Sequence, residues 1–314
     1  MNTDQIVVVI DDKLSFPTTY PTLRLSVDEE HKSLDSVARI WDFLLEQGIT
    51  RRGILVCIGG GVLTDMGGFA AATYKRGIAY INVPTTLLAM IDASTGGKTG
   101  INYNGLKNII GTFTPPAETI VWPGWLNTLP AKEWLSGFGE MLKTALIAPN
   151  LWHRVLQYDL DKMDVEEIAP LIEACVAAKE QIVKADPQEK GLRKVLNFGH
   201  TFGHAIEEVA LGTIPHGYAV VYGLIAELYL SVTQLGCPKE PLQQLTQIML
   251  HYYGRPECKC SDLNRLIALM QQDKKNEHTD EINCTLIQDI ASPVINQIIS
   301  PSAALEALEY LFSL

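Results

Sequence analysis

Short runs of branched apolar residues fill the first third of this chain and then stop, and that asymmetry limits the folds open to it. Residues 5–10 (QIVVVI), 53–58 (GILVCI), 79–83 (AYINV) and 118–122 (ETIVW) read as strands buried on both faces. From Leu34 the apolar positions Val37, Trp41 and Leu44 recur every three or four residues, and Gly48 supplies a stop. Strand, helix and strand in succession imply a parallel sheet. Beyond about residue 145 strand signals almost vanish, and helices are expected at roughly 164–184, 198–211, 218–235, 240–253, 261–272 and 301–313. The first of these opens with Asp164 and Glu167 at capping-box spacing, and its apolar stripe of Ile168, Ile172, Cys175 and Ile182 also takes in Lys179. A chain of 314 residues with 47% hydrophobic content can bury two cores. The expected architecture is an α/β domain with a mainly parallel sheet over 1–146 and an all-α domain over 147–314, closely packed with a cleft between them.

A formal charge of -11 argues against nucleic acid or an anionic membrane as partner, since either demands a positive face. No apolar run is expected to reach the ~18 residues of a membrane span, and the first thirty residues lack a basic-then-apolar leader pattern. Six cysteines, at 57, 175, 237, 258, 260 and 284, form no paired framework, which fits a reducing cytoplasm. Cys258 and Cys260 read as a loop pair, because no second pair follows to complete a metal site.

Several motifs carry chemistry. Gly59, Gly60 and Gly61 follow a buried strand and lead through Val62, Leu63, Thr64 and Asp65 into a small-residue helix. Such a loop lets backbone amides approach a pyrophosphate at a helix N-terminus, although a plain tight turn explains the glycines equally well. The loop from Asp92 to Thr99 ends in GKT but lacks the first glycine of a Walker sequence, leaving a turn that presents Asp92 and Lys98, with Lys107 and Asn108 beyond. Glu140 and Lys143 share a helical face. Asn197, His200 and His204 stand at spacings of three and four, and His216 follows in a Pro-His-Gly turn. Three histidines within seventeen residues, with a carboxylate from another helix, have the composition of a zinc site with one open position. Spacing alone would select His200 and His204 as the ligand pair.

Taken together, GGGVLTDMGGFAAATYKRG, VPTTLLAMIDASTGGKTGIN, LKNIIG, LNTLP, SGFGEMLK, KGLRKVLNFGHTFGHAIE and PHG resemble the successive motifs of the 3-dehydroquinate synthase family, in order from about residue 25 to residue 276. The resemblance implies an NAD-binding α/β domain, a helical metal-binding domain, a homodimer and a cytoplasmic enzyme. It implies zinc, for which cobalt can substitute, on Glu140, His200 and His216, with His204 left as a proton-relay residue. Substrate contacts would come from Asp92, Lys98, Lys107, Asn108, Lys143, Lys179, Glu189, Arg193, Asn197 and His204, with Lys274 or Lys275, and from Arg76 reaching across the dimer interface. Cofactor contacts would come from Glu29, Lys32, Gly60, Gly61, Asp65, Thr85, Thr86, Lys98, Lys107 and Thr128, and more weakly from Asp11 and Lys13.

The implied reaction converts 3-deoxy-arabino-heptulosonate 7-phosphate to 3-dehydroquinate and phosphate through transient oxidation, β-elimination, re-reduction and aldol closure. A substrate bearing both carboxylate and phosphate accounts for cationic side chains gathered in an acidic protein. Two departures from the family pattern stand out: about twenty residues without helical period join Ile10 to Val27, and Tyr218 replaces a glutamate after the second histidine motif. Another sugar phosphate cyclase, or a metal-dependent polyol dehydrogenase, are the alternative readings.

Overall fold

The computed structural model describes residues 5–210, 213–256, 262–272 and 281–314. The chain divides into two compact units, Met1–Leu129 and Pro130–Leu314.

In the first unit, strands β1 (Ile6–Asp11), β2 (Thr22–Leu25), β3 (Ile54–Gly59), β4 (Ala79–Pro84) and β7 (Glu118–Thr119) form a wholly parallel sheet of order β2-β1-β3-β4-β7. Alternation along β1 sends Val7 and Val9 to one face, where they share a core with residues of helices α1 (Leu34–Glu46) and α2 (Gly61–Thr73) such as Val37, Leu44, Leu63 and Met66. Val8 and Ile10 point to the other face and join Ile58, Leu14 and Trp125. Helix α1 ends as its sequence dictates, with Gly48 in the left-handed region at φ 63°.

The stretch from Ile10 to Val27 holds a strand where the sequence signals none. The ten-residue crossover from β1 to β2, residues 12–21, contains no helix. Side chains do part of a helix's work there: Phe16 packs on Trp125 with ring centroids 5.9 Å apart, and Arg24 Nη1 donates to the Leu14 carbonyl at 2.8 Å. The loop expected to carry Lys98, Lys107 and Asn108 is likewise structured. It is an antiparallel hairpin of β5 (Lys98–Tyr103) and β6 (Leu106–Phe113). The turn is Asn104-Gly105, both at positive φ, the pairing that matches the twist of a two-residue hairpin.

The second unit is built from α3 (Ala131–Ile147), α4 (Trp152–Leu156), α5 (Val165–Ala185), α6 (His200–Val209), α7 (His216–Leu235), α8 (Glu240–Ile248), α9 (Asp262–Gln271) and α10 (Pro301–Ser313), together with an antiparallel hairpin of β8 (Ile282–Ile287) and β9 (Pro293–Ile299) that the helical pattern does not announce. Asp164 caps α5, its Oδ1 accepting from the amides of Glu166 at 2.7 Å and Glu167 at 3.0 Å. Helix α7 does have the length and apolar composition of a membrane span, contrary to the reading above, but 67% of its most apolar window is buried within the unit. It is the helix around which α3, α6 and α10 pack.

Candidate functional site

Glycines bring three helices together in the second unit, and each stands next to a candidate ligand. A methyl group on Gly139 would run into the Gly217 carbonyl, and one on Gly217 into the Ser136 carbonyl, so α3 and α7 cross in near backbone contact beside Glu140 and His216. Gly199 lies at φ 81°, where an added Cβ would stand 2.7 Å from Leu224 Cγ on α7, and it precedes His200. The potential ligand atoms of Glu140, His200 and His216 consequently lie within 4.8 Å of one another.

The hydrogen bonds fix how these groups face each other. Glu140 is fully buried, and its Oε1 lies 3.0 Å from His216 Nε2 and 3.4 Å from His200 Nε2. Its Oε2 forms an ion pair with Lys143 Nζ at 2.5 Å. His216 Nδ1 meets the Glu207 carboxylate at 3.0 Å. His200 Nδ1 stands 3.1 Å from the Phe198 carbonyl, an acceptor, so Nδ1 carries the hydrogen.

Burial pushes the His200 pKa down, opposed by Glu140, and the ring is neutral with a bare lone pair at Nε2 directed toward a carboxylate oxygen. Two acceptors in that relation favour a cation between them. At His216 burial works against the charged ring, but hydrogen bonds to Glu140 and Glu207 hold its pKa at about 10. Burial would likewise raise the Glu140 carboxyl, yet Lys143, His200 and His216 keep it well below the usual carboxylate range. An ionised carboxylate, two converging imidazole nitrogens and a carboxylate behind one ring fit a divalent ion with a position left open, the ion taking the place of the proton on His216 Nε2.

His204 lies beside this group without joining it. It is exposed, with its ring centroid 5.0 Å from that of His200 and 5.9 Å from that of His216. The pair that spacing alone would select is therefore not the set that converges.

Further along the same unit, Asp186 organises the loop before α6. Its carboxylate accepts from the amides of Lys190 at 3.0 Å, Gly191 at 2.7 Å and Arg193 at 3.1 Å, which holds its pKa below the usual carboxylate value. Arg193 is buried and donates to the Pro187 carbonyl at 2.8 Å, while Asn197 donates to Glu189 at 2.9 Å. Lys179 is buried on α5, as its place on the apolar stripe predicts. Lys274, Lys275, Cys258 and Cys260 lie outside the described residues.

In the first unit the buried Lys32 Nζ donates to Asp65 Oδ2 and Asn108 Oδ1, each at 2.6 Å. Asn102 extends this network, accepting from the Asn108 amide at 2.8 Å and donating to Glu29 Oε1 at 2.8 Å. Gly60 is the N-cap of α2 and brings no side chain to compete for the first amides, which suits the helix end to a pyrophosphate. Thr85 is buried behind the loop, its amide bonded to the Gly59 carbonyl at 3.0 Å, and Thr86 lies 3.2 Å from where a Gly60 Cβ would be.

Asp92 is half-buried in a π-helical turn, Ala89–Ala93, while Lys98 and Lys107 are exposed on the hairpin. Arg76 is exposed in a strained turn where it and Lys75 both have positive φ, a conformation supported by Arg51 Nε donating to the Lys75 carbonyl at 2.8 Å. Thr128 is exposed and donates to the Trp125 carbonyl, and Asp11 accepts from the Lys13 amide at 3.0 Å.

Two family models match most of the chain. The 3-dehydroquinate synthase N-terminal model matches residues 22–136, and the 3-dehydroquinate synthase C-terminal model matches residues 137–276. The chain belongs to the 3-dehydroquinate synthase family.

Among members of that family, the 3-dehydroquinate synthase of Parabacteroides distasonis is 44% identical over 294 residues, covering 92% of this chain and 83% of its own length. That of Clostridium tetani is 35% identical over 289 residues, covering 90% of this chain and 76% of its own. A solved 2-epi-5-epi-valiolone synthase, ValA of Streptomyces hygroscopicus subsp. jinggangensis with NAD+ and Zn2+ bound, superimposes with a TM-score of 0.86 at 26% identity, covering 98% of this chain and 91% of its own. A 2-deoxy-scyllo-inosose synthase complexed with carbaglucose-6-phosphate, NAD+ and Co2+ shares the fold, with a TM-score of 0.83 at 24% identity over 98% of this chain and 90% of its own.

Sequence reasoning missed four residues whose contacts hold the candidate site's side chains and loops: Glu207 behind His216, Glu227 of α7 against the first amides of α6, Asp186 in the loop and Asn102 in the hairpin. Two of these left a signal. Glu207 continues the helical stripe of His200 and His204, seven residues after the first, and Glu227 is the one Asp, Glu, Lys or Arg between His216 and Leu235.

Proposed function

We propose that this chain converts 3-deoxy-arabino-heptulosonate 7-phosphate to 3-dehydroquinate and inorganic phosphate, with NAD as a cofactor regenerated in each turnover and a divalent metal, zinc or cobalt, at Glu140, His200 and His216. The observation that carries this reading is the convergence of those three side chains, Glu140 and His200 buried and His216 half-buried, with the buried Lys143, in a chain whose two halves both match the family. When bound, the metal supplies Lewis acidity to a substrate hydroxyl, and NAD supplies a temporary hydride acceptor.

The chain's own groups do the remaining work. Glu207 and the Phe198 carbonyl orient the two imidazoles, leaving Nε2 of each for the metal. Lys143, Lys179, Arg193 and Asn197, with Lys274 or Lys275, recognise the carboxylate and hydroxyls, and Lys98, Lys107 and Arg76 recognise the phosphate. Orienting the substrate through so many fixed contacts contributes, at its limit, roughly 7 to 11 kcal/mol to lowering the barrier. His204, exposed beside the ligand group, is placed in the proton-relay role. Glu29, Lys32, Asp65, Thr85, Thr86 and Thr128 are assigned to the nucleotide, with Gly60 and Gly61 opening the backbone to its pyrophosphate.

We place the enzyme in the cytoplasm as a homodimer. The exposed apolar side chains of Leu106, Ile109 and Phe113 on β6 support self-association, and light scattering at the mass of two chains tests it.

The decisive assay follows phosphate release from the substrate with zinc and catalytic NAD. Stoichiometric phosphate without net NADH is expected. Accumulating NADH would instead indicate a polyol dehydrogenase, and inertness toward this substrate a different cyclase.

A further inference from the structure

We infer that Glu227 is a positioning residue that sets His200 for metal binding, a role resting on the proposed occupancy of the Glu140, His200 and His216 group. Helix α6 begins at His200, and its N-cap is Gly199, which has no side chain to satisfy the first amides. The fully buried carboxylate of Glu227, reaching over from α7, takes that place. Its Oε2 accepts from the Gly199 amide at 2.6 Å and its Oε1 from the Thr201 amide at 3.1 Å, so the two bonds grip the backbone on both sides of His200. A negative charge at this end of the helix also complements its dipole.

The contact has consequences for the imidazole. His200 is oriented through Nδ1 by the Phe198 carbonyl, which belongs to the peptide whose amide nitrogen is that of Gly199. Glu227 therefore holds the plane of the peptide group that aims the ring. The close approach of α6 and α7 makes this possible, because a methyl on Gly223 would strike the Gly199 carbonyl, and one on Gly203 would come within 2.9 Å of the Ala219 carbonyl. His216 is steered directly by a carboxylate, whereas His200 is steered by a carboxylate acting through the main chain. A neutral isostere cannot replace Glu227 fully, since the glutamine side chain offers one acceptor oxygen and turns an NH2 group toward the other amide.

The test uses the full-length protein. Co2+ and Zn2+ affinities are measured by competition with a chelating dye, together with the visible absorption of the Co2+ form and stability in urea, for wild type, Glu227→Gln, Glu227→Asp and the control Leu308→Ala on α10. Glu227→Gln is expected to weaken metal binding about 10- to 100-fold and to shift the Co2+ absorption, as loss of an orienting contact does. Glu227→Asp, with its charge kept and its reach shortened, is expected to fall between Glu227→Gln and wild type, and it carries the test should Glu227→Gln fail to fold. Leu308→Ala removes a buried side chain of the same unit and is expected to lower stability with wild-type metal affinity. Loss of stability in both Glu227 variants with wild-type affinity and absorption would overturn the positioning role. Wild type that binds neither ion would overturn the metal reading itself, and this inference with it.

Discussion

The candidate metal centre of the second unit and the cation-bearing turns of the first are built by opposite means. Glu140, Lys143 and His200 are buried, and the helices carrying the triad cross at glycines that leave the backbones almost no freedom. Lys98, Lys107 and Arg76 are exposed, on a hairpin and a left-handed turn. A divalent ion needs donors fixed within a few tenths of an ångström, so its site has to exist beforehand. A phosphate can be met by long side chains that reach for it. The difference teaches that perturbing the first site should damage folding and binding together, while perturbing the second should separate them.

Glu140 gives the sharpest way to break that comparison. Glu140→Ala removes the carboxylate from a buried lysine, and an expected loss of about 3–5 kcal/mol follows from stranding one half of a buried ion pair. Urea unfolding measures this, and equilibrium dialysis is expected to show zinc binding abolished. The double variant Glu140→Ala with Lys143→Met should recover most of the stability and none of the zinc. If zinc affinity returns with stability, Glu140 acts through the fold and is not a ligand.

The glycines separate packing from ligation at a smaller scale. Gly217→Ala forces a methyl against the Ser136 carbonyl and is expected to cost about 1–3 kcal/mol, with weaker zinc binding because His216 is its neighbour. Gly48→Ala has open space around its Cβ but a φ of 63°, so a cost of about 1–2 kcal/mol with unchanged zinc affinity is expected. Comparable stability losses with divergent zinc affinities, read in the same titration, would tie the α3–α7 crossing to the metal. Glu207→Gln tests the contact behind His216 more gently, with roughly tenfold weaker zinc and little loss of stability expected.

What the sequence disclosed follows the same physical divide. Strands β1, β3 and β4 were legible because burial on both faces demands unbroken apolar runs, and the helices from α5 onward because their apolar residues recur at helical spacing, α5 with its Asp164 cap as well. The β5–β6 hairpin was not, since six of the eight residues of β6 from Leu106 onward are consecutively exposed and Gly100 and Gly111 dilute the strand pattern. Its turn, Asn104-Gly105, was the available signal. Strands β8 and β9 hid among helices because polar residues, such as Asn283 and Gln297, interrupt them. In the site, the histidine motif announced a metal, but helical spacing proposed His204 where the structure gathers His216. One helix cannot supply what three crossing helices do. Glu207 and Glu227 escaped because their value lies in which nitrogen they face, a property of tertiary contact.

The mildest perturbation tests the first unit's half of the comparison. Gly60 has φ -73° and ψ -176°, a conformation any residue adopts, and an added Cβ would stand 3.2 Å from Thr86 Cγ2. Gly60→Ala therefore asks only that Thr86 yield by a few tenths of an ångström and that a slightly poorer N-cap be accepted, and a stability loss of about 0.5–1 kcal/mol is expected. The same methyl projects at the N-cap of α2, where a pyrophosphate needs the backbone amides, so NAD affinity is expected to fall about tenfold, equivalent to about 1.4 kcal/mol. Calorimetric NAD titration beside a urea curve reads both quantities. A methyl that leaves NAD affinity intact would move the pyrophosphate away from Gly60, whereas one that unfolds the unit would show the glycine loop to be as tightly built as the metal centre and erase the contrast between the two sites.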